Sequence, residues 1–486
     1  MCIRDSYRCL IFIGNDYLMQ TYQNVSHRQL ISHLFRRAGF GVSDREIDKY
    51  LDKSYEDVVD ELLGTGDFID FEDDDILERY YGEKNIYTVP ARNIYRMINT
   101  NNPLQEKVAL FWHHLLATGY SKDSVPWSSD LQINLFRRFG LTDFKTILVQ
   151  ISKDPAMISW LDNSENHAGE PNENYGRELL ELFSMGVGNY TEEDVKNCAY
   201  SFTGWTFTQL IPLYPTGHYL PDFQFLSHEH EYSMKQFLGH NGKFNGEDVI
   251  DIIVQQPATA RFLCRHLYNF FVADEKQIPA WNSEQPLDPI AIKELEHAYF
   301  ESNGDLKHIL KTLFNSDFFK KSLYKKVKSP TELIVGVIKL VETYGFPEMG
   351  LTDLVYAGTY MGQQLINPPT VEGWHTGTEW IDGGTLSERI NFATEQFVDT
   401  QKPGVKFMLE KLSLNAGDAD SNLLLDHCLE IVGLVDVKSE TRQGILTDFD
   451  SMEESFFGKS NSDEFKINRV ARMLQLVLST REYQLC

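Results

Sequence analysis

The sequence predicts an all-α protein: a large multi-helix globular domain with two long irregular loop regions and one small β-hairpin. Three observations predict it. Apolar residues recur at helical spacing along most of the 486 positions. Capping residues stand at the ends of those stretches. Two segments, 206–240 and 361–384, break the period with Pro, Gly and aromatic residues. At 42% hydrophobic and 24% charged residues the chain has enough apolar side chains for a substantial core and is not compositionally disordered.

Taken in order, Met1–Ser6 (MCIRDS) reads as a sequencing-library scar. Residues 1–18 are then a non-native leader and Met19 the expected start. Residues 19–400 form the main helical domain, and 401–486 a helical end portion packing on the same domain. His27–Gly39 sets Leu30, Ile31, Leu34 and Phe35 on one face and stops at Gly39. Ser43 caps a second helix through Ile47, Leu51 and Val58–Leu63. Pro103 opens a helix running to Gly119, with Val108, Phe111, Trp112 and Leu115 on one arc and His113 and His114 away from its centre. Asp154-Pro155 is an N-cap followed by proline at the first helical position, and Thr191–Asp194 is a capping box. In 206–240 the expected hairpin pairs Phe223–Leu226 with Gln236–Leu238. Helices resume over Glu247–Gln255, Ala258–Phe271, Ile290–Ser302, Leu306–Asn315, Ser329–Tyr344 and Thr352–Tyr360. The polar stretch 437–464 reads as a surface loop, and Phe465–Leu478 as the last helix.

Composition narrows the function. Lys and Arg total 45 against 71 Asp and Glu, a formal charge of -26, which repels phosphate backbones and disfavours nucleic acid as a partner. The run FEDDDILE (71–78) reads as a solvated acidic face. Six scattered cysteines form no C-x-x-C pair, and Cys198 and Cys264 fall in apolar helical patterns as buried thiols. No stretch approaches the ~20 apolar residues of a membrane span, and no signal peptide follows Met19, so a soluble, cytoplasmic protein is favoured. P-loop, dinucleotide-binding, G-x-S-x-G and H-E-x-x-H patterns are absent from the sequence.

The densest polar stretch is 169–207. On a helix opening at Asn174, steps of 100° gather Asn174, Arg177, Glu178 and Glu181 into one stripe. Facing a pocket, Glu178 and Glu181 would serve as acid and base or bind a divalent metal, and Arg177 would clamp an anionic group. Facing solvent, the same residues would simply pair along the helix. The loop 162–174 offers Asp162, Ser164 and Asn166 to calcium, or equally to capping and Asx-turns. His228 and His230, two apart on an extended segment, have a metal-ligand spacing, with His113 or Glu178 as the third ligand. Trp205, Trp374 and Trp380 stand beside glycines in irregular segments, where they would stack on sugar rings or fill core beneath loops.

The strings HLFRRAGFG (33–41), LQEKVALFWHHLLATG (104–119), DPAMISWLDN (154–163), PNENYGRELLELFSMGVGNYTEEDV (171–195), FTGWTF (202–207), KSPTELIVG (328–336) and MGQQLINPPTVEGW (361–374) occur together and in order. In them the sequence resembles a bacterial family, domain of unknown function 1800, from about His27 to REYQL (481–485). His230, five residues before Lys235, matches the family pattern. The chain departs from it at Leu115, where relatives often carry a second histidine two residues after the first. The resemblance implies large bacterial proteins, many exported, with no agreed reaction. Their genes often neighbour a sulfatase- or phosphatase-like protein. Two readings follow. One is a hydrolase-like enzyme, with or without metal assistance, acting on carbohydrate or a sulfated or phosphorylated polymer. The other is a non-catalytic partner of the neighbouring protein, with its polar stripe paired internally and an apolar patch exposed elsewhere.

Overall fold

Side-chain caps set where the helices begin. Ser26, Asp154, Thr191 and Ser329 each accept the backbone N–H three residues on, at the starts of helices His27–Ala38, Pro155–Trp160, Glu192–Ser201 and Pro330–Val341. Each such cap contributes ~1 kcal/mol by pairing an N–H the helix cannot pair itself. The computed structural model describes residues 25–64, 74–82, 85–119, 126–208, 221–276, 284–416, 420–434, 437–452 and 463–486. It is 62% helical, with 23 α-helices and two two-stranded antiparallel sheets among the described residues. The leader 1–18 and residues 71–73 of the acidic run lie outside them.

Three sequence expectations change. The helix after Ser43 is two helices, Asp44–Ile47 and Tyr55–Leu63, because Ser54 caps the second one itself. The hairpin expected between 223–226 and 236–238 does not form. Strand β1 (Trp205–Phe207) pairs with β2 (Phe223–Phe225), and β3 (Lys235–Phe237) with β4 (His240–Gly242). Leu238 at φ 45° and Gly239 at φ 83° close β3 onto β4 directly, the doubly positive turn that matches strand twist. The stretch 437–464, expected as loop, contains helix Ser439–Met452. Ile445, Leu446 and Phe449 bury one face of it, against helices Ser421–Ile431 and Asp463–Leu478.

Two helices are buried on nearly all sides. Helix Pro103–Leu115 hides Leu104, Val108, Phe111 and Trp112 but also Glu106, Lys107 and His113. Helix Pro330–Val341 hides Leu333, Ile334, Val337 and Ile338 together with Glu332. Their buried charges meet partners. Lys107 Nζ ion-pairs with Glu332 Oε1. Arg137 donates through Nε and Nη2 to the two Glu106 oxygens at 2.7 and 2.8 Å, and to Asn93 Oδ1 at 2.5 Å. Arg137 thereby ties its own helix to Thr88–Asn99 and Pro103–Leu115. Helix Pro403–Ala416 packs on Pro330–Val341, and Asp463–Leu478 on Gly383–Glu395. No helix among the described residues is long and apolar enough to cross a membrane.

Glu332→Leu alone strands the Lys107 charge and should cost about 3–5 kcal/mol in urea unfolding, whereas Lys107→Met with Glu332→Leu should recover most of it. A single-variant loss below ~1 kcal/mol would contradict the pairing.

Candidate functional site

Helix Asn174–Glu181 splits its polar stripe between two surroundings. Toward solvent, Arg177 donates to both oxygens of Glu192 at 3.0 and 2.8 Å and to Glu173 at 3.3 Å. This lifts its pKa, chiefly through the Glu192 bond, and leaves the guanidinium engaged rather than poised as an anion clamp. Asn174 Nδ2 donates to the Leu161 carbonyl at 3.2 Å, which anchors the helix start to the preceding loop. Glu181 accepts the Tyr190 hydroxyl at 2.6 Å. Glu178 differs. It is half-buried, and its carboxyl makes no hydrogen bond or ion pair among the described residues. Burial, then the charge of Glu181, raise its pKa above the ordinary glutamate value; Arg177 lowers it by less, and the charge of Glu372 adds the smallest upward push.

Glu372 is the residue the sequence reading missed. It lies in the irregular segment 361–384, two positions before Trp374, and its proximity to Glu178 exists only through the fold. The segment is seated on the end of helix Pro103–Leu115. The Trp374 N–H donates to His114 Nδ1 at 3.2 Å, the two rings stack at 6.2 Å, and the indole Nε1 donates to the Gln364 carbonyl at 3.2 Å. Gly373 stands at φ 88°, and any Cβ there would collide with the His114 carbonyl. Residues 361–384 thus bring Glu372 within electrostatic reach of Glu178.

Several expected site residues are placed elsewhere. Trp205, Trp374 and Trp380 are only 5–6% exposed, so none offers a ring face to a sugar. Trp205 packs between Phe202 and Phe223 at 5.0 Å each. The loop 162–174 spends its amides on structure: Asn166 donates to the Ala199 carbonyl at 2.9 Å and accepts the Asn172 N–H at 3.0 Å, and Asn163 donates to Trp205 O at 3.0 Å. His228 is solvent-exposed on the short turn Ser227–Glu229, while His230 is buried with Nδ1 donating to the Thr203 carbonyl at 2.9 Å. The expected extended pairing of the two imidazoles is therefore not formed.

His113 is buried against Trp374 at 5.2 Å and Phe136 at 6.5 Å. Gln132, engaged by Thr118 and Asp154, is the polar group beside its ring. Burial holds this imidazole neutral, with its pKa pushed down to about 3. Among the described residues no group of three or more His, Cys, Asp or Glu side chains is arranged to hold a metal ion. Cys198 and Cys264 are buried free thiols, and burial raises both pKa values.

No curated protein and no solved structure shows significant similarity to the chain. A family model described as protein of unknown function (DUF1800) matches residues 33–485, nearly its whole length. It spans every helix and loop that builds the Glu178 cluster, and the chain belongs to the DUF1800 family.

Proposed function

We propose that the chain is a hydrolase-like enzyme whose working groups are carboxyls, with Glu178 as the proton donor and Glu181 or Glu372 as its ionised partner. The observation that carries this reading is the unpaired, half-buried Glu178, whose proton affinity is raised by burial, by the charge of Glu181 and, most weakly, by that of Glu372. Two carboxyls with separated proton affinities are the equipment for glycosidic bond cleavage, one protonating the leaving oxygen and the other activating water or attacking. Electrostatics also select among the substrate classes. Arg177 is committed to Glu173 and Glu192, and a site built from carboxyl groups offers sulfate and phosphate no free cation. A neutral carbohydrate is the better fit, and no metal is required.

A second reading has its own observation. Tyr80, Tyr87, Phe346, Met349, Tyr356 and Tyr360 are each 41–79% exposed. They lie on helices Asp74–Tyr81 and Leu351–Tyr360 and the turns beside them, with Tyr80 against Phe346 at 6.0 Å and Tyr87 against Tyr356 at 5.4 Å. Exposed aromatics gathered on one face are a feature of protein interfaces. This supports a non-catalytic partner of the neighbouring sulfatase- or phosphatase-like protein.

On a panel of neutral and acidic polysaccharides, Glu178→Gln should lower kcat by ~10²–10⁴-fold with KM nearly unchanged. Full activity in that variant would sink the acid assignment. Stability gives a test that needs no substrate. A carboxyl whose folded pKa is raised contributes stability below the unfolded value, and that contribution is lost as pH rises through the folded pKa. Glu178→Gln should therefore melt higher than the wild type at neutral pH, with the gap closing as pH falls through the raised folded pKa and gone below the unfolded value of about 4.3. A gap independent of pH would contradict the carboxyl cluster. For the second reading, Phe346→Ser with Tyr360→Ser should abolish co-elution with the purified neighbouring gene product while leaving the melting temperature near that of the wild type. Co-elution that survives both changes counts against the aromatic face.

A further inference from the structure

A cavity of about 40 Å³ lies between helix His27–Ala38, helix Pro330–Val341 and residues 483–486. Its walls include Ser32, Arg36, Lys328, Glu332, Tyr483 and Cys486. One water needs roughly 10–15 Å³, so the space suits a few waters or one small polyatomic ion. Three of the strings quoted above meet here: HLFRRAGFG supplies Arg36, KSPTELIVG supplies Lys328 and Glu332, and REYQL supplies Tyr483.

The donors at this cavity are incompletely used. Arg36 Nη1 donates to Ser32 Oγ at 3.0 Å and to the Gly433 carbonyl, but Nε and Nη2 are shielded from solvent and make no hydrogen bond. Those two nitrogens form one edge of the guanidinium, the parallel pair of donors that matches two oxygens of a phosphate. Behind Lys328, Arg389 donates to Gln484 and to the Lys328 carbonyl while its Nη1 is bare. A shielded charged donor without an acceptor is costly, by more than the ~1–3 kcal/mol of a neutral one.

Charge points the same way. Arg36, Arg37, Lys107, Lys326, Lys328 and Arg389 are electrostatically linked through this interior. The carboxylates among them are Glu332 and Asp274. Even a full negative charge at Cys486 leaves the cations in excess. Burial, reinforced by Arg36 and Arg389, drives the Lys328 ammonium down to about 7.

We propose that this cavity binds a tetrahedral oxyanion, a phosphate or sulfate group held by the free Nε–Nη2 edge of Arg36 and the ammonium of Lys328. The site is distinct from the Glu178 cluster and does not rest on the hydrolase reading. It assigns an anionic ligand to the interior of a protein whose net charge is -26.

The test uses the full chain and inorganic phosphate, followed by calorimetry and thermal melting against potassium chloride at matched ionic strength. Inorganic sulfate and glucose 6-phosphate serve as parallel ligands. Saturable stabilisation by phosphate is expected, weakened at least ~10-fold in Arg36→Gln by loss of a charged double hydrogen bond. Binding of glucose 6-phosphate as well would identify the ligand as a phosphorylated small molecule, and its exclusion would identify the free ion. Should Arg36→Gln fail to fold, the wild type still decides, because bound phosphate should raise the Lys328 pKa by ~1 unit or more in NMR titration. No saturable effect of phosphate or sulfate beyond chloride, or an unmoved Lys328, would overturn the proposal and leave water as the occupant.

Discussion

The two most enclosed helices are registered against each other by a buried ion pair between Lys107 and Glu332. Helices Pro103–Leu115 and Pro330–Val341 are both enclosed on nearly every side, so the charges they carry have no water to face. Glu332 resolves three demands at once. It accepts the Ser329 N–H at 2.7 Å as part of its own helix's capping box, neutralises Lys107, and lies within the field of Lys326. Burial alone would raise its pKa, yet the two lysines hold it down at about 2. A buried pair of this kind is weak evidence for stability, because desolvation offsets most of the attraction. Its stronger effect is on register. Sliding either helix by one residue would strand two charges in the interior.

That joint also sets a division of charge. The surplus of cations lies inside, around Arg36, Lys326, Lys328 and Arg389, and so the exterior is more acidic than the net value of -26 conveys. The Glu178, Glu181 and Glu372 carboxyls belong to that acidic exterior. A ligand meets opposite fields at the two places: repulsion of anions at the carboxyl cluster, attraction in the interior cavity. One protein surface does not suit both a sulfated polymer and this carboxyl triad.

Much of the helical framework was legible because it depends on local chemistry. Ser26, Asp154, Thr191 and Ser329 mark helix starts in the sequence and cap them in the structure. Helix Ser439–Met452 escaped because its apolar face is only three residues deep in a polar stretch, and packing rather than periodicity decides it. The strand pairing escaped for a related reason. Trp205, in β1, packs its ring on Phe223 and pairs in register with Phe225, both in β2, yet the two strands are far apart in the sequence. At the candidate site, Glu178 was visible from its helix, while Glu192 and Glu372, which determine what Arg177 and Glu178 can do, come from other elements. Tryptophans next to glycines proved to be anchors, because the glycines let the backbone approach closely enough to bury the ring.

Adjacent polar residues on one helix turn are 100° apart, and here that angle separates two fates. Arg177 is turned to Glu173 and Glu192 in an exposed pair of small energetic weight. Glu178, the next residue, is half-buried without a hydrogen-bond partner among the described residues and is the carboxyl with the raised pKa. The stripe is therefore internally paired at one position and open at the next, so neither the enzyme nor the partner reading is excluded by the helix alone. Both readings also share one piece of chain. Helix Leu351–Tyr360 ends in the exposed Tyr360 and runs straight into the segment that carries Glu372. Substitutions of the exposed side chains Tyr360 and Glu372, which leave the backbone between them in place, separate docking from chemistry.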